Sequence, residues 1–207
     1  SGPTSCGLLS NPGFDDGVPG NADNLQSNGD FKAWTWLGGT NGGFVQGTFK
    51  YDGGQALAIT WPHQLAVQTF PAVTGMSYVL QGRIFNPGTE RLRDTAYGVL
   101  LLQFLSGTNV IATKETLHFT TNSPADTWVY FCTTSRAPSS GSFTGRVAAF
   151  LQGDEFGDSN FAGAVYFDAF CVTATNIPFT STQSGALYNP GFEDSGSGTS
   201  LEHIDNW

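Results

Sequence analysis

Short stretches rich in β-branched, aliphatic and aromatic residues recur along this chain at close intervals, each ended by residues that turn the backbone. GLLSN opens the series, followed by FKAWTWL, FVQGTFKY, QALAITW, LAVQTF, SYVLQGRIF, YGVLLLQFL, KETLHFT, TWVYFCTT, GRVAAFLQ and AVYFDAFCVTA. Between them lie NPG at 86–88, SGTN at 106–109, NSPAD at 122–126, APSSGS at 137–142 and GDEFGDSN at 153–160. These supply Gly for positive φ, Pro for a fixed φ, and Asx side chains that bond locally. No stretch longer than a few residues keeps a helical period. About ten or eleven strands at this spacing predict a single all-β domain, a jelly-roll-like antiparallel β-sandwich.

Composition supports that reading and excludes several functions. Charged residues make up 12% of the 207, and Lys and Glu, which fill exposed helical faces, are scarce. A net charge of −9 with eight scattered Lys and Arg leaves no basic stripe for phosphates, so neither nucleic acid nor an anionic membrane is expected as a partner. The longest apolar run, VLLLQFL at 99–105, is too short to cross a bilayer, so no membrane span is expected. No signal-peptide core is present; SGPTSCG reads as a mature or engineered start.

Cys6, Cys132 and Cys171 are too far apart for a CxxC metal site, and no His stands beside them at ligand spacing. The acidic, Gly- and Asn-rich composition has an extracellular flavour, which favours one disulfide and one spare thiol over three buried thiols. Cys6 with Cys171 is the preferred pair, since it staples the start of the domain to its last strand. A bridge from Cys132 to either stays open.

NPGFDDG at 11–17 returns as NPGFEDSG at 189–196, and the surrounding GLLSNPGFDDG aligns with GALYNPGFEDSG at an offset of 178 residues. A fixed offset of domain size is the signature of tandem modules. The reading is therefore a module over 1–175, a polar linker over 176–184 within TNIPFTSTQSG, and the start of a second copy over 185–207.

The ordered set LLSNPGFDDG, Trp, YDGGQALAIT, AVQTFPAVTGMSYVLQGRIF, DTWVYFCTT, GRVAAFLQG and AVYFDAF resembles the calcium-bearing β-sandwich carbohydrate-binding modules that accompany xylanases and glucanases. The resemblance covers about residues 6–175, and again 185–207. It implies a secreted, non-catalytic module that binds polysaccharide or glycan. It also implies a structural Ca2+ near the first loop, the DG turn and the Asp of the last strand. Matching positions make Asp15 and Asp168 side-chain ligands, with Asp52 or backbone carbonyls near Lys50 and Gly53 completing the shell of six to eight hard oxygens. Ala169 departs from the paired acids usual there, while Glu193 keeps an oxygen donor in the second copy.

Sugar recognition in such modules rests on aromatic rings stacked on pyranose faces and on amides and guanidinium groups that bond hydroxyls. The candidates are Trp34, Trp61, Tyr97 and His118, with Gln68, Gln103, Arg146 and Gln152 as polar partners. Trp36 and Trp128 are assigned to packing; Trp61 and His63, in the turn before LAVQTF, are expected to be exposed.

A competing reading comes from YGVLLLQFL, which is apolar on both faces. With Val99, Leu101 and Leu105 taken as core, Leu100, Leu102 and Phe104 point outward and need a cover. That cover is the N-terminal segment, a neighbouring module, or another copy in a surface array or filament. Catalysis has little support. Asp154, Glu155 and Asp158 sit in a Gly-rich loop, no Ser has a GxSxG context, and His63, His118 and His203 neighbour no nucleophile.

Overall fold

The computed structural model describes residues 5–16, 19–21, 32–93, 95–153 and 163–175. They belong to a compact unit over Ser1–Asn176, and a second unit covers Ile177–Trp207. The linker and the second copy of the NPGF phrase, with Glu193, lie outside the described residues, as do Asp154, Glu155, Asp158 and His203.

Two antiparallel sheets face each other. One has five strands, in the order β10 (Asn109–Glu115), β9 (Tyr97–Ser106), β12 (Thr144–Gln152), β7 (Gln64–Pro71) and β4 (Thr35–Leu37). The other has six: β11 (Val129–Arg136), β8 (Ser77–Phe85), β13 (Val165–Thr175), β6 (Ala56–Ile59), β5 (Gly43–Gln46) and β3 (Gly20–Asn21). β1 (Ser5–Cys6) and β2 (Leu9–Ser10) form a small separate pair. Among the described residues the one helical element is a 3-10 turn at Gly88–Glu90, and no helix is long and apolar enough to cross a membrane. This is the β-sandwich that the rhythm of short strands predicts.

Turn chemistry sets the joints. β9 and β10 are joined by a two-residue hairpin between Ser106 and Asn109, with Gly107 at φ +62°, the first central position at which such hairpins call for Gly. Cys6 and Cys171 are bonded, so the start of the chain is tied to the last strand, beside a hydrogen bond that the Leu8 amide donates to Val172 O at 2.8 Å. Cys132 is a free thiol.

The core lies between the sheets, and it overturns one expectation. Leu100, Leu102 and Phe104 are fully buried inside the sandwich, not on an interface between subunits. Leu100 lies so close over Gly82 of β8 that a Cβ there would meet its Cδ1 at 2.7 Å. Phe104 packs against Tyr78 and Phe143 at ring separations of 6.0 and 5.9 Å. Val99 and Leu101 take the outer face instead, in a separate apolar cluster with Val67 and Ala148. The inversion has a physical cause. A strand apolar on both faces carries no phase of its own, and the volume between the sheets, with Tyr78 and Gly82 opposite, decides which side turns in.

Candidate functional site

Strand register places four of the sugar-binding candidates on one surface, the outer face of the five-stranded sheet. β9 pairs with β12 so that Tyr97 stands opposite Gln152, Val99 opposite Phe150, Leu101 opposite Ala148 and Gln103 opposite Arg146. β7 continues those rows with Leu65 beside Phe150, Val67 beside Ala148 and Thr69 beside Arg146. Since side chains alternate along each strand, all of these share one face.

The floor of that face is the apolar cluster of Val67, Val99, Leu101 and Ala148, with Leu65, Tyr97 and Phe150 packed against it. A polar row bounds one end. Arg146 Nε donates to Gln103 Oε1 at 2.8 Å, and Gln103 Nε2 donates to Thr113 Oγ1 at 3.2 Å. Burial draws the Arg146 guanidinium below its ordinary value. The other end carries rings. Tyr97 and His118 stack at 3.8 Å with 8° between their planes, and His118 Nε2 lies 2.9 Å from Glu115 Oε2. Gln152 Nε2 reaches His63 Nδ1 at 3.3 Å, while the His63 amide donates to Leu151 O. Those contacts bring the 61–63 turn to this end of the sheet, with Trp61 39% exposed upon it.

Two of the expected ligand contacts are not surface groups. Trp34 is buried between Phe14 and Phe170, at ring separations of 4.7 and 5.0 Å, and its Nε1 donates to Asn11 O at 2.8 Å. Gln68 points inward and mimics a neighbouring strand: Oε1 accepts from Ser10 N at 2.7 Å and Nε2 donates to Ser10 O at 2.8 Å. Both hold the N-terminal segment in place. Trp36 is core and Trp128 packs on the outer face of the six-stranded sheet. Sequence reasoning missed Leu65, Phe150 and Thr113; the alternation in GRVAAFLQ held a signal for Phe150, two residues from Gln152.

A second constellation sits where the first loop, the 47–55 loop and β13 meet. Asp168 is fully buried, at a bulge in β13, and Ala169 after it takes φ +53°. Its Oδ2 accepts from the Tyr51 and Asp52 amides at 2.8 and 3.2 Å, and its Oδ1 accepts from the Ala169 amide at 2.6 Å. Asp15 Oδ1 accepts from the Gly54 and Gln55 amides. A Cβ built on Gly13 would lie 3.1 Å from Asp168 Oδ1 and 3.2 Å from Asp15 Oδ2, so the two carboxylates converge on one point. Burial pushes the Asp168 carboxyl up to about 7, the three amides pull it down, and the Asp15 charge raises it further. Asp52 differs from its expected role. Its side chain is exposed and accepts from the Gly53 amide, so it is the Asp52 backbone that reaches the site. Among the described residues no group of three or more His, Cys, Asp and Glu side chains forms a metal cluster.

Comparison with known proteins gives likeness of fold. No protein-family model and no curated protein matches the sequence. Among solved structures, the enzymatically active domain of bacteriophage CBA120 tailspike protein 4 superposes with a TM-score of 0.53 at 13% identity, over 82% of this chain. This chain spans 22% of that protein's length. A family 4 carbohydrate-binding module aligns at a TM-score of 0.49 and 18% identity, over 81% of this chain and 99% of the module. The TmCBM61 module in complex with β-1,4-galactotriose aligns at 0.47 and 15% identity, over 83% of this chain and all (100%) of that one. The likeness is one of fold alone.

Proposed function

We infer that this chain is a non-catalytic polysaccharide-binding module whose binding surface is the outer face of the five-stranded sheet. One observation carries the reading: Tyr97, His118, Gln103, Arg146 and Gln152, far apart in sequence, converge on that face around an apolar floor. A sugar ring presents an apolar face and a polar rim. Flat rings beside an apolar strip match the first, and guanidinium and amide groups match the second. Several sugar-binding modules among the compared structures share the fold, which agrees with this reading. The residues on which the assembly alternative rested are interior. The bridged Cys6–Cys171 pair agrees with secretion into an oxidising environment.

The test is titration with soluble β-1,4-linked polysaccharides, by affinity electrophoresis and calorimetry, on the wild type and on Tyr97→Ala. Loss of a half-buried ring from the surface is expected to weaken binding by about tenfold, the upper end of the roughly 0.5–1.5 kcal/mol that a ring contact adds beyond its buried area. Trp61→Ala is expected to weaken it less. Undiminished binding by Tyr97→Ala would remove this face from the reading.

The second constellation is a structural calcium site in this proposal, and its donor chemistry fits. Two carboxylates converge where the groups acting on Asp168 are backbone amides and the Asp15 carboxylate. A divalent cation there would relieve the repulsion and the burial of charge, with Asp15 and Asp168 as side-chain ligands. The cation would supply no chemistry beyond tying two loops to β13. Calcium is expected to raise Tm and a chelator to lower it, with Asp168→Asn abolishing the difference; equal melting in both conditions would refute the site.

A further inference from the structure

The opposite face of the sandwich carries an arrangement that binding on the five-stranded sheet does not explain. On the outer side of the six-stranded sheet, the Arg83 guanidinium lies 4.1 Å from the centroid of the Tyr51 ring and 5.3 Å from that of Tyr130. Trp128 continues the row, 6.1 Å from Tyr51 and 5.2 Å from Phe85. Packing accounts for Phe85 and for Tyr166 beside it, which are buried in an outer-face cluster. It does not account for Tyr51, which is 47% exposed at its position in the 47–55 loop.

The bonding of Arg83 is the second observation. Arg91, Arg136 and Arg146 each donate to an oxygen, whereas among the described residues Arg83 donates to none and pairs with no carboxylate. Its cross-strand neighbour Asp168 is turned to the amides of Tyr51, Asp52 and Ala169. A guanidinium has five N–H donors in its plane. Rings against it leave the in-plane edge for an acceptor, the geometry that suits a carboxylate bound through two parallel bonds.

We propose that the Tyr51–Arg83–Tyr130 face is a second binding surface, for the uronic acid units of an acidic polysaccharide. The sugar carboxylate meets the Arg83 edge, and the half-exposed Tyr51 ring covers the adjoining pyranose. A chain of net charge −9 repels a polyanion at long range, so recognition is short-range and site-bound. The Tyr51 loop is the one whose amides hold Asp168, so the two carboxylates beneath brace the ring on this face.

The experiment titrates the full chain with a short oligogalacturonate and with its methyl ester, which keeps the sugar ring and removes the charge. Wild type is expected to bind the acid at least about tenfold more tightly than the ester, as a charge-assisted bidentate pair gives. Arg83→Gln and Tyr51→Ala are each expected to weaken acid binding by roughly tenfold, with Arg83→Lys recovering part. Tyr97→Ala is expected to leave it unchanged, so failure here is distinct from failure of the Tyr97 face. Tyr51→Ala replaces an exposed ring and keeps the test decisive should Arg83→Gln melt early. Equal binding of acid and ester, or no binding of the acid, overturns the proposal. So does loss of acid binding on Tyr97→Ala, which moves the ligand to the outer face of the five-stranded sheet. An Arg83-dependent doubling of mass in light scattering also overturns it, since the occupant is then a second copy.

Discussion

A Cβ at Gly53 would lie 1.8 Å from Asp15 Oδ2, and the residue holds φ at +67°, so both space and backbone ask for glycine there. Gly53→Ala is expected to cost about 2 kcal/mol or more, the scale of a left-handed strain joined to a displaced buried contact, and to lower Tm accordingly. The same substitution pushes Asp15 away from Asp168, so the response of Tm to calcium is expected to shrink with it. Asp15 and Asp168 were legible as a pair in the sequence, because the phrases around them carry the family resemblance. Asp52 was misplaced for a local reason: an Asp just before a Gly bonds the next amide, and no linear pattern tells whether the side chain or the backbone faces inward. Gln68 and Trp34 were misplaced for the opposite reason, since their partners, Ser10, Asn11 and Phe170, lie far away in the chain.

At the scale of elements, β9 shows how far alternation can be read. Its existence, length and closing hairpin follow from an apolar run ended by SGTN; its phase does not. Phe104 now belongs to the core, so Phe104→Ala is expected to destabilise the domain by about 3–5 kcal/mol through the cavity it leaves. Molecular mass in light scattering is expected to stay the same, whereas an interface residue would change mass and leave Tm nearly untouched. The outward phase of β9 then builds the outer face of the five-stranded sheet. Tyr97 and Gln103 align with Gln152 and Arg146 only because β12 lies next to β9, a pairing between segments some fifty residues apart that local sequence does not specify.

Across the whole molecule, the Cys6–Cys171 bond closes a span of 165 residues, joining the first strand pair to β13. Cys171→Ser is expected to cost about 2–5 kcal/mol, the range for a native bridge in a secreted domain, with the loss read as a lower denaturation midpoint. Reduction of the wild type is expected to reproduce it, and equal midpoints would show that the sandwich holds its N-terminal segment without the bond. That segment has other anchors: Gln68 grips Ser10, and Phe14 packs on Trp34 and Phe170.

By itself the sequence determined the all-β class, the joints between strands and the candidate rings and amides. Turn chemistry and β-forming stretches act over a few residues and survive in a linear reading. Only the tertiary structure decided which face of β9 is core, that Trp34 and Gln68 hold the N-terminal segment, and that Arg83 stands between two tyrosines. Those outcomes depend on what packs opposite each side chain across two sheets, and packing at interior density admits one arrangement that no short window of sequence contains.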